Sequence, residues 1–282
     1  MGKITRRNFL ETAGLAIPAL STRLYSDQPE RPAPPQNAKK PKFVLGMASY
    51  TFRAFNLDDT LAMTKRLGLG RISFKSMHLP LESTAEQIRA VVARVREAGL
   101  DLYAGGVIYM TAEAEVRQAF AYAKASGMKM IIGVPNHELL ELAERHVKEF
   151  DIGLAIHNHG PTDKLYPTPE SVMEKIKSLD RRVGLCLDLG HTQRAGVDPS
   201  ESAERSFDRL LDVHIKDVTA STAEGVPVEI GRGVADIPKF LRTLVRLGYA
   251  GTVSLEHEKD ESDPLPGAAE SIGYVRGALA AF

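Results

Sequence analysis

The sequence has one cysteine, no net charge and few long apolar runs. Each of these absences excludes a class of structure or partner. Its one cysteine, Cys186, cannot form an internal disulfide, and its position within an apolar run is typical of inert core packing. The 36 Lys and Arg residues balance 36 Asp and Glu residues. Because a chain without net charge offers no field for holding polyphosphate, we expect no nucleic-acid partner.

The amino-terminal apolar stretch, residues 13–20, is too short for a membrane span and contains Pro18. It follows the adjacent arginines Arg6 and Arg7, which is the order found in twin-arginine export signals. We therefore predict that residues 1–25 are such a signal, that the protein is exported to the periplasm, and that no segment spans the membrane.

The rest of the chain divides into a linker and one folded domain. Residues 26–41 hold five prolines and predict a Pro-rich linker. In residues 42–282, apolar strand-like segments alternate with helical patterns, and the alternation continues through eight strands. This period predicts an α/β fold, a (β/α)8 TIM barrel, with no second domain. An open doubly wound sheet would need a phosphate-binding glycine turn after the first strand, and residues 48–51 are not one.

Polar side chains follow four consecutive strands of this predicted barrel. His157, Asp188, His214 and Glu256 each come at the end of an apolar run. Neighbouring parallel strands lie about 4.8 Å apart, so residues at their carboxyl ends can converge on one point of the rim. A mixed nitrogen and oxygen ligand set suits Mn²⁺, Co²⁺, Zn²⁺ or Fe²⁺ better than Ca²⁺. The sequence therefore predicts that these four residues bind one divalent metal ion.

Four segments of the predicted barrel carry distinctive motifs: Leu-Asp-Leu-Gly-His at 187–191, Asp-Val-His-Ile-Lys-Asp at 212–217, Gly-Arg-Gly at 231–233 with Asp236, and Leu-Gly-Tyr-Ala-Gly at 247–251. With these motifs the sequence resembles the xylose-isomerase-like barrels, also called sugar phosphate isomerases/epimerases, whose relatives include apurinic-site endonucleases. The resemblance implies that Asp188, His214 and Glu256 are metal ligands and that His191 touches substrate oxygen.

The sequence departs from the family at the first ligand, where His157-Asn158-His159 replaces the usual Glu-Asn-His. In the family's epimerases, two facing glutamates exchange a proton on opposite faces of one carbon. A metal-bound imidazole cannot act as the second base, because its lone pair is already used. We therefore expect a one-base mechanism here.

Several side chains near the predicted rim are candidates for the remaining acid or base. Lys75 follows the second strand, where partial burial would lower its pKa, although a solvated rim lysine is equally compatible with the sequence. His159, His191 and His78 are the other candidates. We assign catalysis to Glu256, Lys75 and His159. Substrate binding is assigned to His191, His78 and Arg232, and we expect Lys216 and Asp217 to form a structural pair beside His214.

These residues predict a divalent-metal-dependent sugar isomerase or epimerase that removes a proton next to a carbonyl to give an enediolate. The same abstraction would serve a keto-glycoside lyase, and export favours unphosphorylated substrates and thus slightly favours the lyase. The expected partner is a small-molecule sugar or keto-glycoside. Less favoured by the sequence are an abasic-site nuclease, with His78, His159 and His191 as extra ligands, and a non-catalytic sugar-binding protein.

Overall fold

The structure is a computed structural model that describes residues 40–282. The predicted export signal and nearly all of the predicted linker lie outside the described residues, so both stay predictions. Within residues 40–282, no helix combines the length and the apolar character that a bilayer crossing requires.

Eight parallel strands close into a barrel, which confirms the predicted fold. Each strand pairs with its neighbours in the chain, and the first strand closes the ring against the last. A separate two-stranded hairpin follows the seventh barrel strand. The barrel strands are Val44–Ala48 (β1), Arg71–Phe74 (β2), Asp101–Met110 (β3), Met130–Pro135 (β4), Gly153–His157 (β5), Val183–Asp188 (β6), Leu210–Ile215 (β7) and Thr252–Leu255 (β10), and the hairpin strands are Asp217–Val218 (β8) and Pro227–Val228 (β9).

The helices surround the barrel, and polar caps fix where several of them begin. The side chains of Asn56, Thr84 and Thr168 each accept a hydrogen bond from a backbone N–H of the first turn. The α-helices in the described range are Leu57–Arg66 (α1), Ala85–Glu97 (α2), Glu113–Ser126 (α3), Leu140–Phe150 (α4), Pro169–Ile176 (α5), Leu189–Arg194 (α6), Pro199–Arg205 (α7), Ile237–Leu247 (α8) and Leu265–Ala280 (α9). The connection from β6 to β7 thus holds two short helices instead of one.

The sequence predicts a third strand over residues 100–104, but β3 in the structure is longer and reaches Met110. Its continuation depends on Gly106, where an added Cβ would lie 2.2 Å from the Ile132 carbonyl oxygen of β4. Glycine is therefore required where the two backbones approach closely. The extra residues carry Tyr109 to the carboxyl-end rim, beside the side chains described below.

The loop after the hairpin is anchored by Asp217. Its Oδ2 accepts hydrogen bonds from the backbone N–H groups of Gly231, at 2.9 Å, and Gly233, at 3.0 Å. The Asp217 carboxylate is therefore used for shaping this loop. The predicted pairing of Lys216 with Asp217 is wrong, because successive strand residues point to opposite sides and send Lys216 into the barrel rim.

A group of polar side chains is buried inside the barrel, and we call it the interior cluster: Tyr103, Cys186, Asp212 and Ser254. The Tyr103 hydroxyl donates to Asp212 Oδ2 at 3.1 Å and lies 2.8 Å from Ser254 Oγ. Burial raises the pKa of Asp212 to about 7. Its partners are all supplied by the protein, so the interior cluster is a structural one.

Candidate metal centre

The four predicted ligands meet at the carboxyl ends of four neighbouring strands. His157 ends β5, Asp188 ends β6, His214 lies in β7 and Glu256 directly follows β10. Asp188 and His214 are direct partners in the β6–β7 register. All four side chains are buried, and one donor atom from each lies within 4.8 Å of the others. We call these four residues the rim cluster.

The spacing within the rim cluster suits a small cation. His157 Nε2 lies 3.2 Å from His214 Nδ1 and 3.5 Å from Asp188 Oδ2, and His214 Nδ1 lies 3.5 Å from Glu256 Oε2. Metal–ligand bonds of 2.0–2.2 Å in a tetrahedron place the ligand atoms roughly 3.3–3.6 Å apart. The donor atoms therefore have the separations that a zinc-sized ion requires.

One buried oxygen of the rim cluster lacks a proper partner within the described residues. Asp188 Oδ2 lies 3.2 Å from Lys216 Nζ and 3.5 Å from His157 Nε2, but it makes no contact of hydrogen-bond geometry. Buried polar atoms normally have hydrogen-bond partners, and a carboxylate oxygen without a hydrogen bond beside imidazole nitrogens is what a cation site presents. The residues present therefore fit a divalent ion.

The other oxygen of Asp188, Oδ1, binds the neighbouring backbone. Asp188 Oδ1 accepts from the backbone N–H of His191 at 2.7 Å and so caps α6. The Asn158 side chain accepts from the Asp188 N–H at 3.0 Å and contacts Thr192 Oγ1 at 3.1 Å. These bonds fix the end of β6, so the free oxygen of Asp188 points toward His157 and His214.

Lys216, which the sequence pattern assigned to a structural pair with Asp217, reaches the rim cluster instead. Its Nζ lies 2.8 Å from Glu256 Oε2 and also contacts Asp188 and Glu258. Burial alone would lower the pKa of Lys216, but these carboxylates outweigh it and raise that pKa well above the ordinary value. The signal was available: His214 and Lys216 are two residues apart, so an extended backbone places both side chains on one side.

The charges of the rim cluster keep its carboxylates ionised. Burial would raise the pKa of Glu256, but the Lys216 ammonium and then His214 lower it well below its usual range. The pKa of Asp188 is lowered in the same way, chiefly by Lys216 against the effect of burial. Burial lowers the pKa of His157 well below its ordinary value, so its imidazole is neutral at pH 7. Anionic carboxylates and a neutral imidazole are the forms that bind metal.

Two further histidines extend the rim cluster on the His157 side. His159 Nδ1 lies 3.3 Å from His157 Nδ1, and His159 Nε2 lies 3.1 Å from the Tyr109 hydroxyl. The His191 ring lies 5.5 Å from the His159 ring. Burial lowers the pKa of both, to about 4 for His191. Both predicted residues therefore lie beside the rim cluster.

Lys75 approaches the centre from β2, where the sequence analysis placed it. Its Nζ lies 5.6 Å from the ring centroids of both Tyr50 and Tyr109. Burial lowers its pKa, while the charges of Glu256 and Glu258 partly oppose that shift. Lys75 is thus an ammonium held between two aromatic rings and facing the carboxylates.

Two of the predicted substrate-binding residues are engaged elsewhere. The His78 ring contacts Thr60 Oγ1 at 2.9 Å and Ser49 Oγ at 3.0 Å, so both of its nitrogens already serve the protein. Arg232 lies on the surface with its side chain 60% exposed and forms a two-pronged pair with Glu270. No hydrogen bond in residues 40–282 joins either side chain to the rim cluster.

The fold and the site define a class: a (β/α)8 barrel with a buried histidine and carboxylate centre at the carboxyl end of its strands. The xylose isomerase-like TIM barrel family matches residues 53–278, and the chain belongs to this family.

Named relatives match part of the chain. The Rhizopine catabolism protein MocC of Rhizobium meliloti is 32% identical over 152 residues, which are 49% of this chain and 46% of that protein. An inosose dehydratase of Bacillus velezensis is 28% identical over 149 residues, which are 46% of this chain and 49% of that protein. The chain thus spans about half the length of these relatives.

Solved structures of low sequence identity share the fold. The 3-keto-D-glucoside 4-epimerase YcjR from E. coli has a TM-score of 0.70 and 17% identity, covering 84% of this chain and all of that chain. The IolI protein with a bound zinc atom has a TM-score of 0.69 and 18% identity, covering 84% and 97%. Across the two comparisons, the named proteins include sugar epimerases and an inosose dehydratase.

Proposed function

We propose that this protein is a divalent-metal-dependent enzyme that removes a proton next to the carbonyl of an unphosphorylated sugar or sugar derivative. The observation that carries the proposal is the convergence of His157, Asp188, His214 and Glu256, whose donor atoms lie within 4.8 Å of one another. Of Mn²⁺, Co²⁺, Zn²⁺ and Fe²⁺, the two imidazoles and the spacing favour Zn²⁺. When bound, the ion would polarise a carbonyl and an adjacent hydroxyl, which acidifies the C–H bond between them.

Glu256 is the base in this proposal. Its carboxylate is buried and ionised, and it lies at the rim, where a substrate enters a barrel of this kind. The position that faces it in the family's two-base epimerases holds His157 here. The His157 Nε2 points into the rim cluster, where it would hold a cation and so would take no proton from substrate. One carboxylate base therefore starts the reaction.

β-Elimination is the first candidate outcome. The Lys216 ammonium lies 2.8 Å from Glu256 Oε2 and helps to keep this carboxylate ionised, so that Glu256 can act as the base. Glu256 takes the proton from the carbon next to the carbonyl, and the C–H electron pair becomes a C=C bond. The C–O bond at the next carbon breaks, and the departing oxygen receives the proton that Glu256 removed. The products are an unsaturated ketone and an alcohol or water, and no co-reactant is needed.

Isomerisation or epimerisation is the second candidate and is supported by Lys75. This lysine is partly buried, its pKa is lowered by that burial, and its Nζ lies 5.6 Å from the Tyr50 and Tyr109 ring centroids. A lysine of that kind can return a proton to the enediolate at another carbon or on another face. Both outcomes share the first abstraction, so they differ only in the product.

The experiment is to incubate the zinc-loaded protein in D₂O with ketoses, inososes and keto-glycosides and to follow them by NMR. We expect deuterium to enter the carbon next to the carbonyl, and an unsaturated ketone to accumulate if elimination follows. Removal of the metal with a chelator abolishes exchange, and added Zn²⁺ restores it.

The matched control is Glu256→Gln, which keeps the size of the side chain but cannot take a proton. Exchange that survives both the chelator and this variant contradicts the proposed function. Binding of a sugar without exchange would instead favour a non-catalytic binding protein, and cleavage of abasic DNA would favour a nuclease. We also propose, from the arginine pair and the apolar stretch that follows it, that the protein is exported to the periplasm.

A further inference from the structure

A cavity of about 320 Å³ lies beside the metal centre, between the loop after β2 and the extended end of β3. Its walls are mainly apolar, and those that come from Phe74, Leu79, Val107 and Ile108 are buried. For comparison, a cavity of about 150 Å³ lined by aliphatic and aromatic side chains binds benzene. The cavity beside the centre can therefore hold an aromatic group larger than one ring.

The cavity adjoins the surroundings of the candidate metal centre at two of its lining side chains, Lys75 and Tyr109. The Tyr109 hydroxyl lies 3.1 Å from His159 Nε2, and Lys75 Nζ lies 5.6 Å from the Tyr109 ring centroid. A substrate whose reacting carbons lie at the rim cluster can thus extend past Tyr109 into the cavity.

The lining of the cavity suits an apolar group better than a second sugar ring. A sugar ring needs several hydrogen-bond partners when it is buried. The Tyr122 hydroxyl is already used, because it donates to the Leu79 carbonyl at 3.2 Å. That leaves the exposed Ser76 and the groups of Lys75 and Tyr109 at the boundary.

We infer that the substrate is a keto-glycoside with an aromatic aglycone and that this cavity binds the aglycone. The inference depends on the proposed function, because it places the leaving group of the elimination in the cavity. A glycoside loses its aglycone by that route when the ketone is at C3, since the proton at C2 is then acidic and the bond at C1 breaks. The products are a 1,2-unsaturated 3-ketone and a phenol.

The test compares the methyl and phenyl glycosides of one 3-keto-hexose, with the zinc-loaded protein, by deuterium exchange at C2 and by release of the alcohol or phenol. Because phenol is the better leaving group, the exchange rate is the measure used. We expect kcat/KM for exchange to be about tenfold or more higher for the phenyl glycoside, the range for filling an apolar pocket. Equal values for the two glycosides overturn the inference while leaving the proposed function intact. No exchange with either overturns both.

Leu81→Trp fills the cavity from its partly buried edge and should bring the phenyl-to-methyl ratio of kcat/KM close to one. The matched control is Val44→Trp, at an exposed position at the start of β1 and thus at the opposite end of the barrel. That variant should retain the ratio. A saturating naphthol titration by NMR gives a second readout: Leu81→Trp should abolish shifts of the Val107 and Ile108 methyl signals, and shifts that persist contradict the inference.

Discussion

Two buried carboxylates in the same barrel show how burial can lead to opposite results. Asp188 in the rim cluster and Asp212 in the interior cluster are both fully buried. Burial dominates at Asp212 and raises its pKa to about 7, while the Tyr103 hydroxyl satisfies its oxygens. At Asp188, burial would raise the pKa, but the Lys216 ammonium together with His191 and His157 lowers it, and Oδ2 makes no hydrogen bond. A buried acid is therefore suited to bind a cation where neighbouring groups keep it ionised and one oxygen lacks a hydrogen bond.

The strongest test of this contrast is to remove charge from the rim cluster. Glu256→Gln should lower kcat by about 10³-fold or more, because it removes both the base and an anionic metal ligand. The bound zinc per chain, measured by elemental analysis, should fall as well. The matched control is Glu261→Gln, which removes a half-exposed carboxylate paired with Arg53 and should leave zinc content and kcat unchanged. Full zinc occupancy and activity in the Glu256 variant would mean that Glu256 is neither the base nor a required metal ligand.

The second test uses the pH dependence of stability in the metal-free protein. The pKa of His191 is about 4 in the folded state, against about 6.5 in the unfolded chain. Between these values the unfolded state binds more protons, so the free energy of unfolding rises with pH from 4 to 6.5. The contribution is about 3 kcal/mol and is complete above pH 6.5. His191→Gln should remove this rise in urea unfolding measured from pH 4 to 7.

For Asp212, the same urea unfolding experiment should show a free energy of unfolding that changes with pH in the opposite direction. Its folded pKa of about 7 lies above its ordinary value of 3.8, so the folded state binds more protons in that range and stability falls as pH rises from 3.8 to 7. Asp212→Asn should therefore remove a falling contribution where His191→Gln removes a rising one. Changes of the same sign in both variants would contradict the distinction between the two clusters.

The sequence predicted the fold because each barrel strand is a short apolar run and glycines often end the intervening helices. It also predicted which four strand ends supply the rim cluster, since parallel strands bring their carboxyl ends to one rim. It did not predict Tyr109 there, because Gly105 and Gly106 look like the end of a strand. The structure shows instead that Gly106 permits close contact with β4.

Other parts of the site depend on tertiary contacts that no local pattern encodes. His78 and His159 are both histidines just after a strand, yet His78 is held by Thr60 and Ser49 while His159 reaches the rim cluster. The partners of His78 come from α1 and from the turn after β1. Lys216 and Asp217 were expected to form a structural pair, but side chains of successive residues in an extended chain point to opposite sides.

A third prediction, of smaller size, concerns the interior cluster. Asp212→Ala should lower the free energy of unfolding by about 2 kcal/mol, because the buried Tyr103 hydroxyl loses its carboxylate partner. Asp212→Asn retains an acceptor and should cost less at pH 5. Zinc content should stay the same in both variants. Loss of zinc would show instead that Asp212 supports His214, whose Nε2 lies 3.8 Å from it.

The smallest change in activity and stability is expected for a substitution of Arg232. Unlike the aspartates compared above, this residue carries an exposed charge. Its guanidinium pairs with Glu270 in water, where such pairs contribute little. Arg232→Ala should change kcat/KM by less than about twofold and leave the urea midpoint unchanged, since a solvated pair leaves no buried charge behind when it is broken. Glu270→Gln is the matched control, because it breaks the same pair from the other side. A large rise in KM in Arg232→Ala alone would mean that Arg232 leaves Glu270 to bind substrate, as the sequence pattern predicts.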